Sequence, residues 1–250
     1  MIDIHNHSLF QVDDGSQSLD ESLVLLKQAY DQGVTDVVLT PHFVMDDAYH
    51  IKREELVEKM NVLQNALNEK EISVRLHCGH ELYIHRLLPH CLKERRCCTL
   101  ADSRYVLVEF PFDSYQKHYD EILEDLRALG YIVVIAHPER YRYVREDVNF
   151  CLRWLDEGDL LQCNQNSFLR KDTQKLMKKM LKCNMISFIS SDCHSEKRPV
   201  YLKEAYDAVS SLVGNDECNV LFHLNAEMVL KNELIVNDQY SAHKKIFGLF

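Results

Sequence analysis

Short, almost wholly apolar runs alternate along this chain with longer segments whose apolar residues recur every three or four positions. The first kind reads as strands buried on both faces, the second as helices with one apolar side. Strands are expected at the first few residues, where Ile2 and Ile4 alternate with polar neighbours, and at 37–40, 73–77, 105–108, 132–136, 160–163 and 186–189. Ser18 followed by Glu21 has the form of a capping box and predicts a helix through Leu23, Leu26 and Ala29, which Gly33 stops. Further helices are expected over 51–68, 116–129 (with Gly130 as its stop), 173–181 and 205–212, and around Trp154. From about 232 onward the pattern turns polar and predicts only a tail.

Seven strands alternating with helices predict an α/β fold whose parallel sheet is covered by helices, with enough strands to close or nearly close a barrel. No glycine-rich linker or shift in composition divides the 250 residues, so one domain is expected over 1–250. At 46% hydrophobic and 27% charged, the composition excludes a disordered chain. A formal charge of -10 argues against a nucleic-acid partner, but not against a phosphate substrate, because bound cations reverse a local field. No apolar run nears the roughly 18 residues of a membrane span, so no membrane insertion is expected. The chain opens at Met1 without a basic-then-apolar leader, and its nine cysteines include no Cys-x-x-Cys. Reduced thiols in a cytoplasmic protein are the expectation, most of them small core residues.

The chemistry concentrates where strands are predicted to end. His5 and His7, two apart on one strand, project from the same face and suit a divalent metal. His42, Glu81, Glu109, His137, Asp192 and His194 each stand at or just past the end of a later strand, and Asp14 lies in the loop after the first. In parallel α/β barrels that end carries the active site. Clustered carboxylates resist ionising together, and two or three divalent cations would offset them. Each residue alone has a plainer reading: Asp13-Asp14-Gly15 as a turn, Glu81 and Glu109 as helix-start acids, Asp192 as a cap. His50, His77, His80, His85, His90, His118, His223 and His243 lack comparable placement and are expected to be structural, although His80 stands directly beside Glu81.

Seven pieces of sequence carry a resemblance to a known family: Met1 to His7, Val12 to Gly15, Thr40-Pro41-His42, Gly79-His80-Glu81, Val108-Glu109-Phe110, Ile135 to Tyr141, and Ser191 to His194. Together they resemble the PHP superfamily of metal-dependent phosphoesterases. Among its branches, the Asp-Asp-Gly loop and His137-Pro-Glu-Arg140-Tyr are similar to the bacterial tyrosine-protein phosphatases of capsule and exopolysaccharide biosynthesis. The resemblance spans residues 1 to about 200 and implies a distorted (β/α)7 TIM-like barrel with a trinuclear centre, usually of manganese. It implies one metal on His5, His7, Glu81 and Asp192, a second on Glu81, Glu109 and His137, and a third on Asp14, His42 and His194. Nitrogen and oxygen ligands also accept iron or zinc. Arg140 and Arg198 match the phosphate-contacting arginines, and the implied reaction is hydrolysis of phosphotyrosine by metal-activated water. His42 or His194 would assist the tyrosyl leaving group only where metal does not fully engage it.

The implied partner is a phosphotyrosine-bearing protein, the tyrosine-rich tail of a bacterial kinase, and the reading is compatible with a homo-oligomer. One departure is the segment 43–50, which carries acids instead of a basic cluster. A cysteine-dependent phosphatase is excluded: six places after Cys91 stands Cys97, and six after Cys78 stands Ile84, where an arginine is needed. A phosphatase of small esters such as histidinol phosphate, and a non-catalytic regulatory partner, remain as alternatives.

Overall fold

The computed structural model describes residues 1–45, 49–237 and 239–243. Asp46 and Asp47 of the segment 43–50 lie outside the described residues, as does the end of the tail. The strands are β1 (Ile2–Asn6), β2 (Asp36–Leu39), β3 (His42–Phe43), β4 (Arg75–Cys78), β5 (Glu81–Tyr83), β6 (Tyr105–Glu109), β7 (Ile132–Ala136), β8 (Leu160–Asn164) and β9 (Phe188–Ser190). They form two wholly parallel sheets, ordered β1-β2-β4 and β3-β5-β6-β7-β8-β9. Seven expected strands thus become nine, because two are interrupted. Pro41 offers no N–H to a ladder and separates β2 from β3. Gly79 and His80 separate β4 from β5, and a Cβ at Gly79 would press into Val38. The chain after β9 reaches β1 through His7 N–H to the Cys193 carbonyl and Asp192 N–H to the His5 carbonyl, each 2.9 Å.

Apolar residues fill both sides of the sheets. Ile2, Ile4, Val38, Tyr105, Leu107, Val134, Ala136, Leu160 and Phe188 form an inner cluster. A larger outer cluster packs the strands against the helices Leu19–Asp31, Arg53–Glu69, His118–Ala128, Gln174–Lys182 and Leu202–Val213. All nine cysteines are free and buried, as small core residues would be. The first helix starts at Ser18, whose hydroxyl accepts the Glu21 N–H at 3.1 Å, while Glu21 returns to the N–H of Gln17 and not of Ser18. Gly33 and Gly130 follow their helices in the left-handed region, where only glycine is unstrained.

The sequence pattern missed the helical run from Asn215 to Leu230, which carries a π-helical turn at Val220–Leu224. Its Ala226 and Val229, with Ile235, complete the inner cluster at the amino-terminal ends of the strands. The tail is therefore anchored at its start: the buried Tyr105 hydroxyl donates to the Glu233 carbonyl at 2.6 Å and accepts the Ile235 N–H at 2.9 Å. Among the described residues no helix is long and apolar enough to cross a membrane.

Candidate metal centre

At the opposite, carboxyl-terminal ends of the strands the structure gathers all nine sequence-predicted ligands. His5 and His7 sit on and just beyond β1, and the pairing of β1 with β2 shifts register between Asp3 and Asn6. A bulge of this kind re-aims side chains. It lets Ile2 and Ile4 enter the inner core while His5 and His7 still meet, their Nε2 atoms 3.1 Å apart. His5 Nδ1–H donates to Gln162 Oε1 at 2.8 Å, and His7 Nδ1–H donates to Asp13 Oδ2 at 2.7 Å. With both Nδ1 atoms engaged, the two Nε2 atoms face each other in a fully buried site, where a cation would be held by both imidazoles.

Glu81, opening β5, is the hub. Its Oε1 lies 2.8 Å from His137 Nε2; its Oε2 lies 3.0 Å from His42 Nδ1, 3.3 Å from His7 Nε2 and 3.4 Å from His5 Nε2. Glu109 at the end of β6 approaches His137 Nε2 at 3.4 Å and His42 Nδ1 at 3.9 Å. Asp192 Oδ1 lies 3.4 Å from His194 Nδ1, 3.5 Å from His5 Nε2 and 3.6 Å from His7 Nε2. Asp14, half-exposed at the mouth, places Oδ1 3.4 Å from His42 Nε2 and 3.6 Å from His194 Nε2. His137 and Asp192 both adopt left-handed backbone, φ 30° and 48°, immediately beyond their strands. Such conformations in non-glycine residues persist only where the surroundings enforce them, and they cluster at functional sites.

The electrostatics record the crowding. Burial and then the Glu81 charge push the Glu109 carboxyl up to about 8. Burial works against ionised Glu81 too, yet the His5 and His42 imidazoles hold it well below the usual carboxylate range. Burial depresses His137 to about 4, which keeps the neutral imidazole a metal ligand requires. Arg198 Nη2 and Arg140 Nη1 reach Asp192 Oδ2 at 2.8 and 3.4 Å, and the Arg140 guanidinium lies 4.5 Å from the Phe112 ring centre.

A metal fits this donor set on the evidence of atoms that have no other use. Glu81 Oε2 and Asp192 Oδ1 are buried, face the imidazole nitrogens and take no hydrogen bond. Leaving such groups unpaired costs about 1–3 kcal/mol each. Three donor groupings are compact enough to hold an ion: His5, His7 and Glu81; His42, Glu81 and Glu109; His7, Asp14, His42 and His194. They share members, as a multinuclear cluster would.

Several orienting residues escaped the sequence reading. Asp13 accepts both the His7 ring N–H and, at 3.0 Å, the backbone N–H of His42. Its loop lies so close to His7 that a Cβ at Gly15 would collide with the His7 carbonyl oxygen. On β8, Gln162 holds His5 and donates to Asn164 at 3.0 Å, and Asn164 in turn donates to Asp192 Oδ2. Asp3 accepts the Ser191 N–H at 2.9 Å, pinning the segment that carries Asp192. For Asp3, Gln162 and Asn164 the signal was visible in principle, as polar residues within buried strands; Asp13, in a loop, carried none. His80 is structural, donating Nε2–H to the Ile51 carbonyl at 3.1 Å and accepting the Cys98 N–H at 2.9 Å.

Comparison with known proteins places the site in a family context. Residues 1–231 match the family model described as capsular polysaccharide synthesis, CpsB/CapC. The putative tyrosine-protein phosphatase CapC of Staphylococcus aureus is 34% identical over 256 residues, covering 100% of both chains. A solved structure described as YwqE from Bacillus subtilis and CpsB from Streptococcus pneumoniae, metal-dependent tyrosine phosphatases, superposes with a TM-score of 0.93 at 30% identity, covering 98% of this chain and 100% of the other. At the level of fold alone, the phosphotriesterase homology protein of Escherichia coli gives a TM-score of 0.59 at 11% identity, covering 92% of this chain and 98% of that one.

Proposed function

The chain belongs to the CpsB/CapC family of capsular polysaccharide synthesis, and from that membership we propose that it is a metal-dependent protein-tyrosine phosphatase. The observation that carries the reading is Glu81 Oε2, buried, without a hydrogen bond, and ringed by imidazole nitrogens of His5, His7 and His42. We assign His5, His7, Glu81 and Asp192 to one cation, Glu81, Glu109 and His137 to a second, and Asp14, His42 and His194 to a third, with manganese as the metal. Cations held there would lower the pKa of bound water and offset charge on the phosphoryl group.

The chain's own residues do the rest. Arg140 and Arg198 converge beside the cluster with side chains 37% and 41% exposed, which leaves N–H groups for phosphoryl oxygens. Phe112 under the Arg140 guanidinium holds it in place before substrate arrives. Both ring nitrogens of His42 face carboxylates, so we keep His42 as a ligand and leave the leaving-group proton to another donor. The fold reading that accompanies this function is a seven-position (β/α) barrel formed by one domain, supported by the hydrogen bonds between β1 and the chain after β9. We take the substrate to be the tyrosine-rich tail of a bacterial kinase, and the enzyme to be cytoplasmic.

Metal analysis of the purified protein, paired with hydrolysis of a phosphotyrosyl peptide, tests the proposal. Turnover should fall at least about a hundredfold with a chelator and return with manganese. Faster turnover of histidinol phosphate than of the peptide would move the substrate to small esters. No turnover of any ester by the manganese-loaded protein would make the chain a non-catalytic partner.

A further inference from the structure

Beside the metal cluster the surface opens into a cleft of about 640 Å³. Asp192, Arg140 and Arg198 form its inner end, and Arg145, Arg170 and Lys197 line its wall. Five cations in one cleft stand out in a chain whose formal charge is -10. The acids that share the cleft are already engaged. Asp192 takes the two arginines; Glu139 is buried and accepts the Asn164 N–H and the Ser167 hydroxyl, each at 2.8 Å; Asp172 pairs with Arg170 at 2.8 Å. Arg145 and Lys197 are exposed and have no carboxylate within ion-pair distance among the described residues.

Their backbone is continuous with that of the inner arginines. Lys197 precedes Arg198 in a tight turn held by the Arg198 N–H to the Ser195 carbonyl at 2.9 Å. Arg145 lies on the short helix Arg142–Glu146, which follows Arg140 and is tied to Phe112 by the Arg142 N–H at 2.8 Å. A cleft of this size holds more than one side chain. A peptide whose phosphate reaches Arg140 and Arg198 would lay its next residues along the unpaired cations.

We propose that Arg145 and Lys197, with Arg170, form a second-anion subsite that takes a carboxylate or phosphate side chain flanking the phosphotyrosine on the same peptide. The subsite rests on the phosphatase reading above and adds a sequence preference to it. Guanidinium and ammonium groups accept either anion, so the two sources are separated by experiment.

The test uses the metal-loaded protein and labelled peptides carrying a non-hydrolysable difluoromethylphosphonate in place of phosphotyrosine. The flanking residues are alanine, glutamate or a second phosphotyrosine, and binding is read by fluorescence anisotropy at low and high salt. The wild type should bind at least one anionic peptide roughly five- to tenfold tighter than the alanine peptide, with the advantage shrinking in salt. In Arg145→Ala/Lys197→Ala the advantage should drop to less than about twofold, while turnover of p-nitrophenyl phosphate, which has no flanks, stays at the wild-type level. A glutamate advantage assigns the subsite to carboxylates; an advantage of the doubly modified peptide alone assigns it to phosphate. Equal affinities for all three peptides, an advantage that survives in the double variant, or loss of p-nitrophenyl phosphate turnover in that variant would overturn the proposal. A wild type that fails on p-nitrophenyl phosphate would defeat the phosphatase reading separately, because the binding comparison needs no turnover.

Discussion

At the amino-terminal ends of the strands, buried polar groups are matched to partners; at the carboxyl-terminal ends, individual carboxylate oxygens are left without one. Buried Asp36 on β2 takes Arg75 at 2.8 and 2.9 Å and His77 at 2.9 Å, and the Tyr105 hydroxyl both donates and accepts. Around these, Val229 and Ile235 cover the apolar interior. At the other end, Glu81 Oε2 and Asp192 Oδ1 find no hydrogen bond, and burial and then the Glu81 charge push the Glu109 carboxyl up to about 8. One end is arranged for stability, and the other leaves buried carboxylate oxygens that cations would satisfy.

The largest expected effect comes from breaking the upper end. Glu81→Ala or His137→Ala should lower phosphotyrosine hydrolysis by about a thousandfold or more while helix content by circular dichroism stays nearly unchanged. Retained activity in the Glu81 variant would collapse the contrast. Asp13→Asn or Gln162→Ala should act at one remove, costing about 10- to 100-fold in metal affinity, measured by competition with a chelator. If metal affinity stayed at the wild-type value, His7 and His5 would not depend on these partners for orientation.

The lower end should respond in stability alone. Tyr105→Phe is expected to cost about 1–2 kcal/mol in denaturant unfolding with kcat/KM unaltered. The smallest effect concerns Asp36. Burial pushes its carboxyl up, but Arg75 and His77 outweigh burial and leave its pKa below the ordinary value. A carboxylate depressed in the folded state stabilises above its unfolded pKa, about 3.9, and the contribution disappears as pH falls through the lower folded value. Asp36→Asn should therefore flatten the acid limb of the stability profile, and an unchanged limb would remove Asp36 from the account.

Much of this was legible along the chain, for reasons that particular residues make plain. Apolar runs such as Ile132–Ala136 admit few readings when helical periodicity brackets them, and that strand was expected at its observed bounds. The interruption after Leu39 was harder to see, because Pro41 reads equally well as the end of a strand. The run from Asn215 to Leu230 lacked a clean period, and its π-helical turn supplies a reason.

Local pattern determined the parallel α/β order, the spacing of His5 and His7, and the placing of ligand-type residues at strand ends, since each depends on neighbours within a few positions. Only the folded chain decided that Asp13 and Gln162 fix the imidazoles, that the β1 register shift lets isoleucines and histidines share an interior, and that Arg145 and Lys197 flank Arg140 and Arg198 in one cleft. Gln162 and His5 stand 157 positions apart and the two arginine segments more than fifty, the Asp13 loop and the β1 shift are backbone irregularities, and periodicity carries no information about any of these.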